Sequence, residues 1–167
     1  MNLLRDIGNL LLIILPVSKF FKTKRIVLSL MGVEIGKNAS VNGHTWFYGR
    51  GKIRIGEGTW IGPRCRFYAT GGTVIEVGAN CDIAPEVAFV TGTHEVGSSE
   101  RRAGSGVSKN IKIGNGCWLG ARVTVLGGVN IGSGTLVGAC SLVVSDLPAD
   151  CLAAGIPAVV KKKYAEM

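Results

Sequence analysis

The sequence predicts an all-β fold, a parallel β-solenoid of five triangular coils with an N-terminal helical segment. The first observation is a rhythm: Ile113, Leu119, Val125, Ile131, Val137 and Val143 stand six residues apart, and Gly114, Gly120, Gly132 and Gly138 follow four of them directly. A period of six fits neither a helix nor a continuous strand, but it suits short parallel strands joined at tight corners. The second is its reach, because earlier units open at Ile35, Val41, Phe47, Ile55, Ile61, Phe67, Val77, Ile83 and Phe89. The third is its phase. Spacing exceeds six by two, four and eighteen residues after Phe47, Phe67 and Phe89, so each third unit carries the interruption. Three units therefore make a coil, all insertions leave from one corner, and five coils stacked at ~4.8 Å give a prism roughly 24 Å long.

Within each unit the opening residue and the fifth face inward. The fifth is small or slim, as in Ala39, Thr45, Thr59, Cys65, Cys81, Val87, Cys117, Val123, Val129, Thr135 and Ser141. A narrow prism accommodates one large and one small inward residue per face. Small residues after the opener are expected to serve sharp bends or positive φ at the corners. Three of the five cysteines fall in this column, and no CxxC pair occurs, which indicates a reducing compartment rather than a disulfide framework. Cys140 and Cys151 lie outside the column. With only His44 and His94, the chain offers no histidine cluster, and no metal site is expected.

Residues 1–32 differ in kind. Leu3, Leu4, Ile7, Leu10, Leu11 and Ile14 follow a helical stripe, and the apolar run from Leu10 to Val17 is too short to span a bilayer. Asp6 beside Arg5, and the basic stretch after the run, argue against a cleaved leader. Two readings stay open: a helix capping the first coil, or helices lying on the inner membrane surface with Lys19, Lys22, Lys24 and Arg25 near anionic headgroups. The expected location is cytoplasmic, at the membrane's inner face under the second reading. Residues 33–150 form the β-helix with its loop at 95–112, and residues 151–167 a C-terminal extension with a basic tail.

The net charge of +8 requires anionic partners. Arg101 and Arg102 sit in the longest insertion, and Lys161, Lys162 and Lys163 close the last coil. No recognition helix or base-stacking motif accompanies them, so nucleic acid is not an expected partner. His94 ends the ninth unit, and the eighteen-residue insertion starts at Glu95. A histidine at the root of a polar, glycine- and serine-rich flap suits a general base, since imidazole titrates near neutrality and a flap excludes water. A structural histidine is the alternative. His44 has no flap beside it and reads as a surface residue.

The fifteen units, the Thr93–Glu95 segment before a long loop, the GNGCWLGA segment of 114–121, VGACS of 137–141 and AAGIPA of 153–158 together resemble the hexapeptide-repeat acyltransferases. Among these the chain is similar to the sugar O-acetyltransferases, including those of polysaccharide assembly, over about residues 33–163. The resemblance implies a left-handed parallel β-helix, a homotrimer with sites between neighbours, and acetyl-CoA as acyl donor. It implies His94 as catalytic base, with Glu95 or a backbone carbonyl orienting its ring. It places Gly120 and Ala121 at the oxyanion, and Trp118 either near the thioester or in trimer packing. Gly138 and Ala139 match a pantetheine contact, with Ser141 and Ser145 nearby, and Lys161 or Lys162 stands where relatives hold the 3′-phosphate. The acceptor pocket departs from simple-sugar relatives, with Tyr68, Ala69 and Asp82 as candidates, while Arg101 and Arg102 suggest an acidic or phosphorylated acceptor. A small-molecule acetyltransferase and a noncatalytic scaffold are the competing functions.

Overall fold

The computed structural model describes residues 3–164. Two helices, α1 (Leu3–Ile14) and α2 (Phe21–Leu30), precede the solenoid. Coil one comprises β1 (Val33–Ile35), β2 (Ser40–Val41) and β3 (Trp46–Gly49). Coil two comprises β4 (Lys52–Ile55), β5 (Trp60–Ile61) and β6 (Arg66–Ala69), and coil three β7 (Val74–Val77), β8 (Asp82–Ile83) and β9 (Ala88–Val90). A hairpin of β10 (Gly92–Val96) and β11 (Ala103–Ser108) then leaves the prism. Coil four is β12 (Ile111–Ile113), β13 (Trp118–Leu119) and β14 (Thr124–Leu126), and coil five β15 (Asn130–Ile131), β16 (Leu136–Val137) and β17 (Leu142–Val143). β18 (Cys151–Gly155) adds a further parallel strand beside β16, and β19 (Ala158–Lys163) folds back on it antiparallel.

Three parallel faces result. The first is β1-β4-β7-β12-β15, the second runs from β2 through β5, β8, β13, β16 and β18 to β19, and the third is β3-β6-β9-β14-β17. The openers form the core, and Phe47, Phe67 and Phe89 stack with ring centroids 5.0 and 4.8 Å apart. All the small fifth-position residues named above are buried. Cys151, expected outside the column, joins it: Leu152 pairs with Leu136, which sets Cys151 beneath Thr135 and its Sγ on Pro148 O. Burial pushes the Cys65 thiol up to about 12.

The corners work differently from the expectation. Positive φ falls on the fourth position of the unit, at Asn38, His44, Arg64, Asn80, Glu86, Arg122 and Cys140 and at Gly58, Gly116 and Gly134. The second-position residue is small because coils stack tightly: a Cβ on Gly62 would lie 2.7 Å from Pro85 N and 2.8 Å from Ala84 C. Among the fourth-position residues, Arg64 and Arg122 flank Glu86 at 3.0 and 2.6 Å, an exposed ladder of modest energetic weight.

Outward columns distinguish the faces. The first is charged, with Glu34, Arg54, Glu76 and Lys112 in register and Arg54 paired to Glu34 at 2.8 Å. The second carries Trp60, Asp82, Trp118, Leu136 and Leu152, and the third Tyr48, Tyr68 and Val90.

The helices close the open end of coil one. Leu12, Leu28 and Met31 join the core, and polar side chains tie the helices to the strand edges. Asn9 donates to Phe47 O at 2.9 Å and accepts from Phe47 N at 3.0 Å, so it occupies the edge of β3 as another strand would. Arg5 donates to Gly49 O and Gly51 O at 2.8 and 2.7 Å. Lys24, read from the sequence as facing headgroups, is buried instead: its Nζ binds Pro16 O and Val17 O at 2.8 and 2.6 Å and locks the turn between the helices.

Candidate active site

The long insertion is an ordered ribbon at its root. β10 pairs with β11, placing His94 opposite Gly106 and Thr93 opposite Val107, with a register shift between His94 and Val96. Three threonines, which the sequence reading passed over, fasten the ribbon to the prism. Thr91 Oγ donates to Tyr68 O at 3.0 Å and accepts from Thr70 N at 2.9 Å, while Thr73 Oγ reaches Thr91 Oγ at 3.1 Å. Thr91 O in turn accepts from Lys109 N at 3.0 Å, where the ribbon returns. Both ends of the insertion thus converge on a buried hydroxyl cluster. Thr70, Gly92, Thr93, His94, Gly106, Val107 and Ser108 line a cleft of about 360 Å³. His94 is exposed there, so its imidazole is accessible from solvent.

Glu95 lies at the register shift, and among the described residues no hydrogen bond joins its carboxylate to the His94 ring. Arg101 and Arg102 occupy the hairpin tip, where Arg102 Nη1 donates to Gly97 O at 3.2 Å. Tyr68 stands on the third face, 6.0 Å from Tyr48 between ring centroids. Asp82 stands on the second face between Trp60 and Trp118 in the ladder, and these three with Ala84 line a cleft of about 410 Å³. Trp60 was not anticipated. Its signal was available, since Trp60, Asp82 and Trp118 each directly precede a unit opener and so share a phase.

Backbone donors sort clearly at the corner after β13. The Gly120 N–H is committed to Val137 O at 2.8 Å and the Gly138 N–H to Ala153 O at 2.8 Å. Neither amide is open to an oxyanion or a pantetheine carbonyl. Ala121 and Ala139 follow them at the same corner, and their amides have no backbone partner among the described residues. Ser141 is buried and its Oγ accepts from Gly155 N at 3.0 Å. Lys161 and Lys162 lie on β19, with Lys162 Nζ 5.5 Å from the Tyr164 ring centroid. Among the described residues no group of three or more His, Cys, Asp or Glu gathers as a metal site.

The hairpin leaves the corner shared by the third and first faces, which is the corner the second face does not touch. His94 and the Trp60–Asp82–Trp118 cleft therefore lie on opposite sides of one prism. A family model for the bacterial transferase hexapeptide, of six repeats, matches residues 110–145. WcaF of Escherichia coli (strain K12), whose name assigns it to colanic acid biosynthesis as an acetyltransferase, is 34% identical over 146 residues, spanning 87% of this chain and 78% of WcaF. The chain belongs to the hexapeptide-repeat acetyltransferase family, on a left-handed parallel β-helix. It is also 36% identical to a galactoside O-acetyltransferase of Lactococcus lactis over 137 residues, covering 82% of this chain and 66% of that one. Among solved structures, a galactoside acetyltransferase in complex with coenzyme A superposes with a TM-score of 0.85 at 28% identity, over 97% of this chain and 80% of that one. A hexapeptide-repeat acetyltransferase of Vibrio cholerae O1 biovar eltor, complexed with acetyl coenzyme A, gives 0.82 at 25% identity over 99% and 87%.

Proposed function

We propose that the protein transfers the acetyl group of acetyl-CoA to a hydroxyl of a glycan in surface-polysaccharide assembly. It acts as a homotrimer with sites between subunits, and residues 1–32 meet the inner face of the membrane. The observation that carries this reading is the split site: His94 on a fastened ribbon at one corner, and an aromatic cleft with a carboxylate on the face opposite. Setting the third face of one prism on the second face of the next brings the two together and covers the aromatic columns, while the charged first face stays in water. The names of WcaF and the galactoside enzymes favour a sugar acceptor over an antibiotic or amino acid.

In this site the His94 imidazole takes the acceptor hydroxyl proton as that oxygen attacks the thioester carbonyl. The resulting oxyanion is met by the Ala121 amide, at an end of the corner that has no other bond to make. Collapse expels the CoA sulfur, which receives the proton held by the imidazolium. Trp60, Asp82 and Trp118 hold the sugar by stacking and a hydroxyl hydrogen bond. Ala139 binds the pantetheine arm, Lys161 or Lys162 holds the 3′-phosphate, and Arg101 and Arg102 attract an acidic acceptor. Glu95 orients the His94 ring as the hairpin closes on substrate.

Thiol release from acetyl-CoA, measured over a panel of oligosaccharides with mass analysis of the product, tests this. His94→Ala is expected to lower turnover by about 10²–10⁴-fold with CoA affinity nearly unchanged. Full turnover in that variant refutes the assigned base, and absence of acetyl-CoA binding leaves only a scaffold.

A further inference from the structure

α1 packs with its polarity reversed. Arg5, Gly8, Asn9 and Leu12 face the solenoid, while Leu3, Leu4, Ile7, Leu10, Leu11 and Ile14 face away from it. The outward residues are 45–78% exposed, along one continuous stripe. A helix that only capped a solenoid would bury that stripe. Here capping is done by Asn9 on the β3 edge and by the Arg5 guanidinium on two carbonyls, so the stripe is free for a second partner.

The surroundings of the stripe say which partner fits. Residues 1–32 contain Arg5, Lys19, Lys22, Lys24 and Arg25 against Asp6 alone among carboxylates. Arg5 and Lys24 are turned inward, which leaves Lys19 and Lys22 exposed beside the exposed Phe20. Lys22, Arg25 and Lys37 line a groove of about 520 Å³ floored by Ile26, Leu30 and Ile35. Apolar residues rimmed by cations match the boundary between acyl chains and acidic headgroups. A second copy of the same face fits poorly, because a symmetric pairing would set these cations against their own counterparts.

We infer that the outward face of α1, with the Lys22–Arg25–Lys37 groove between α2 and the corner after β1, seats the protein on an anionic bilayer leaflet with the solenoid axis steeply inclined to the membrane. This deepens the membrane contact proposed above and rests on that reading for its purpose, while the binding itself needs no catalysis. α1 contacts β3 and α2 contacts β1 and β2, so the helices cover one end of the prism. Prisms with parallel axes around a threefold present all three caps on one side, and three weak contacts act together. His94 leaves the third coil, two strand spacings beyond the first. With one helix layer of ~10 Å and two spacings of ~4.8 Å, the reacting hydroxyl stands about 20 Å from the leaflet. The acceptor is then an oligosaccharide extending from its lipid rather than the sugar joined directly to it.

The test is flotation of the full-length protein with phosphatidylcholine vesicles containing or lacking phosphatidylglycerol, beside the double variant Leu4→Glu, Leu11→Glu. Binding to the anionic vesicles is expected, at least tenfold weaker binding to neutral ones, and a similar loss in the variant at unchanged melting temperature. The variant should acetylate a soluble oligosaccharide as well as the parent does. Equal flotation of parent and variant, or no flotation of the parent, overturns the proposal. So does a change in sedimentation between the two proteins in the absence of vesicles, which assigns the face to a second copy. Flotation without transfer to any acceptor sinks the catalytic reading and leaves the docking face standing. On vesicles, a lipid-linked oligosaccharide should be acetylated faster than a lipid-linked monosaccharide, and equal rates overturn the 20 Å spacing.

Discussion

Thr91 illustrates how much a single hydroxyl does in this molecule. Its Oγ serves Tyr68 O, Thr70 N and Thr73 Oγ together, and its carbonyl receives the returning chain at Lys109. Thr91→Val keeps the shape and removes the hydroxyl, leaving the Thr70 N–H without its acceptor at a cost of about 1–2 kcal/mol, while Tyr68 O keeps the Thr91 N–H at 3.1 Å. Because His94 stands three residues further on, we expect turnover to fall roughly tenfold with acetyl-CoA affinity little changed. Chemical denaturation and steady-state kinetics on the one variant check both, and unchanged turnover would separate the threonine cluster from His94. His94 itself was legible in the sequence because the repeat breaks beside it. The threonines were not, since their meeting depends on the corner geometry of two successive coils and Thr is an ordinary core residue elsewhere in this fold, as at Thr45 and Thr59.

At the scale of the element, the repeat made the strands of the five coils predictable, because register in a parallel stack follows from phase alone, whereas β18, which adds to the second face beyond the last repeat unit, carried no such phase. The corners were read less well. Sequence places Gly and Asn prominently in the unit, but not whether φ or crowding demands them, and here the two demands fall on different positions. Gly62 shows the second demand: a methyl group there meets main-chain atoms of Ala84 and Pro85, which cannot move without parting two coils. Gly62→Ala is expected to destabilise by about 2–3 kcal/mol, visible as a lower thermal midpoint. The helical stripe of α1 was also legible, but not its direction. Amphipathic patterning normally turns apolar residues toward the fold, and only the hydrogen bonds of Arg5 and Asn9 reverse it.

For the whole molecule, the separation of His94 from the Trp60–Asp82–Trp118 cleft makes a prediction about mixtures. His94→Ala and Trp118→Ala should each be nearly inactive alone. Refolded together at equal ratio, they should regain a fraction of parental activity, because some interfaces then pair an intact His94 with an intact Trp118 of the partner subunit. No recovery would place both residues in one subunit's site. The terminal strand carries a different consequence. β19 is the last strand of the second face, and Lys161, Lys162 and Lys163 run along it, all exposed. A stack of parallel strands is a template that further copies could extend indefinitely, and this one is stopped at both ends, by Asn9 and Arg5 on coil one and by a row of like charges on β19. The lysines proposed to hold the nucleotide phosphate thus also oppose end-to-end growth, which disfavours the extension of a chain built almost wholly of stackable units into a fibre.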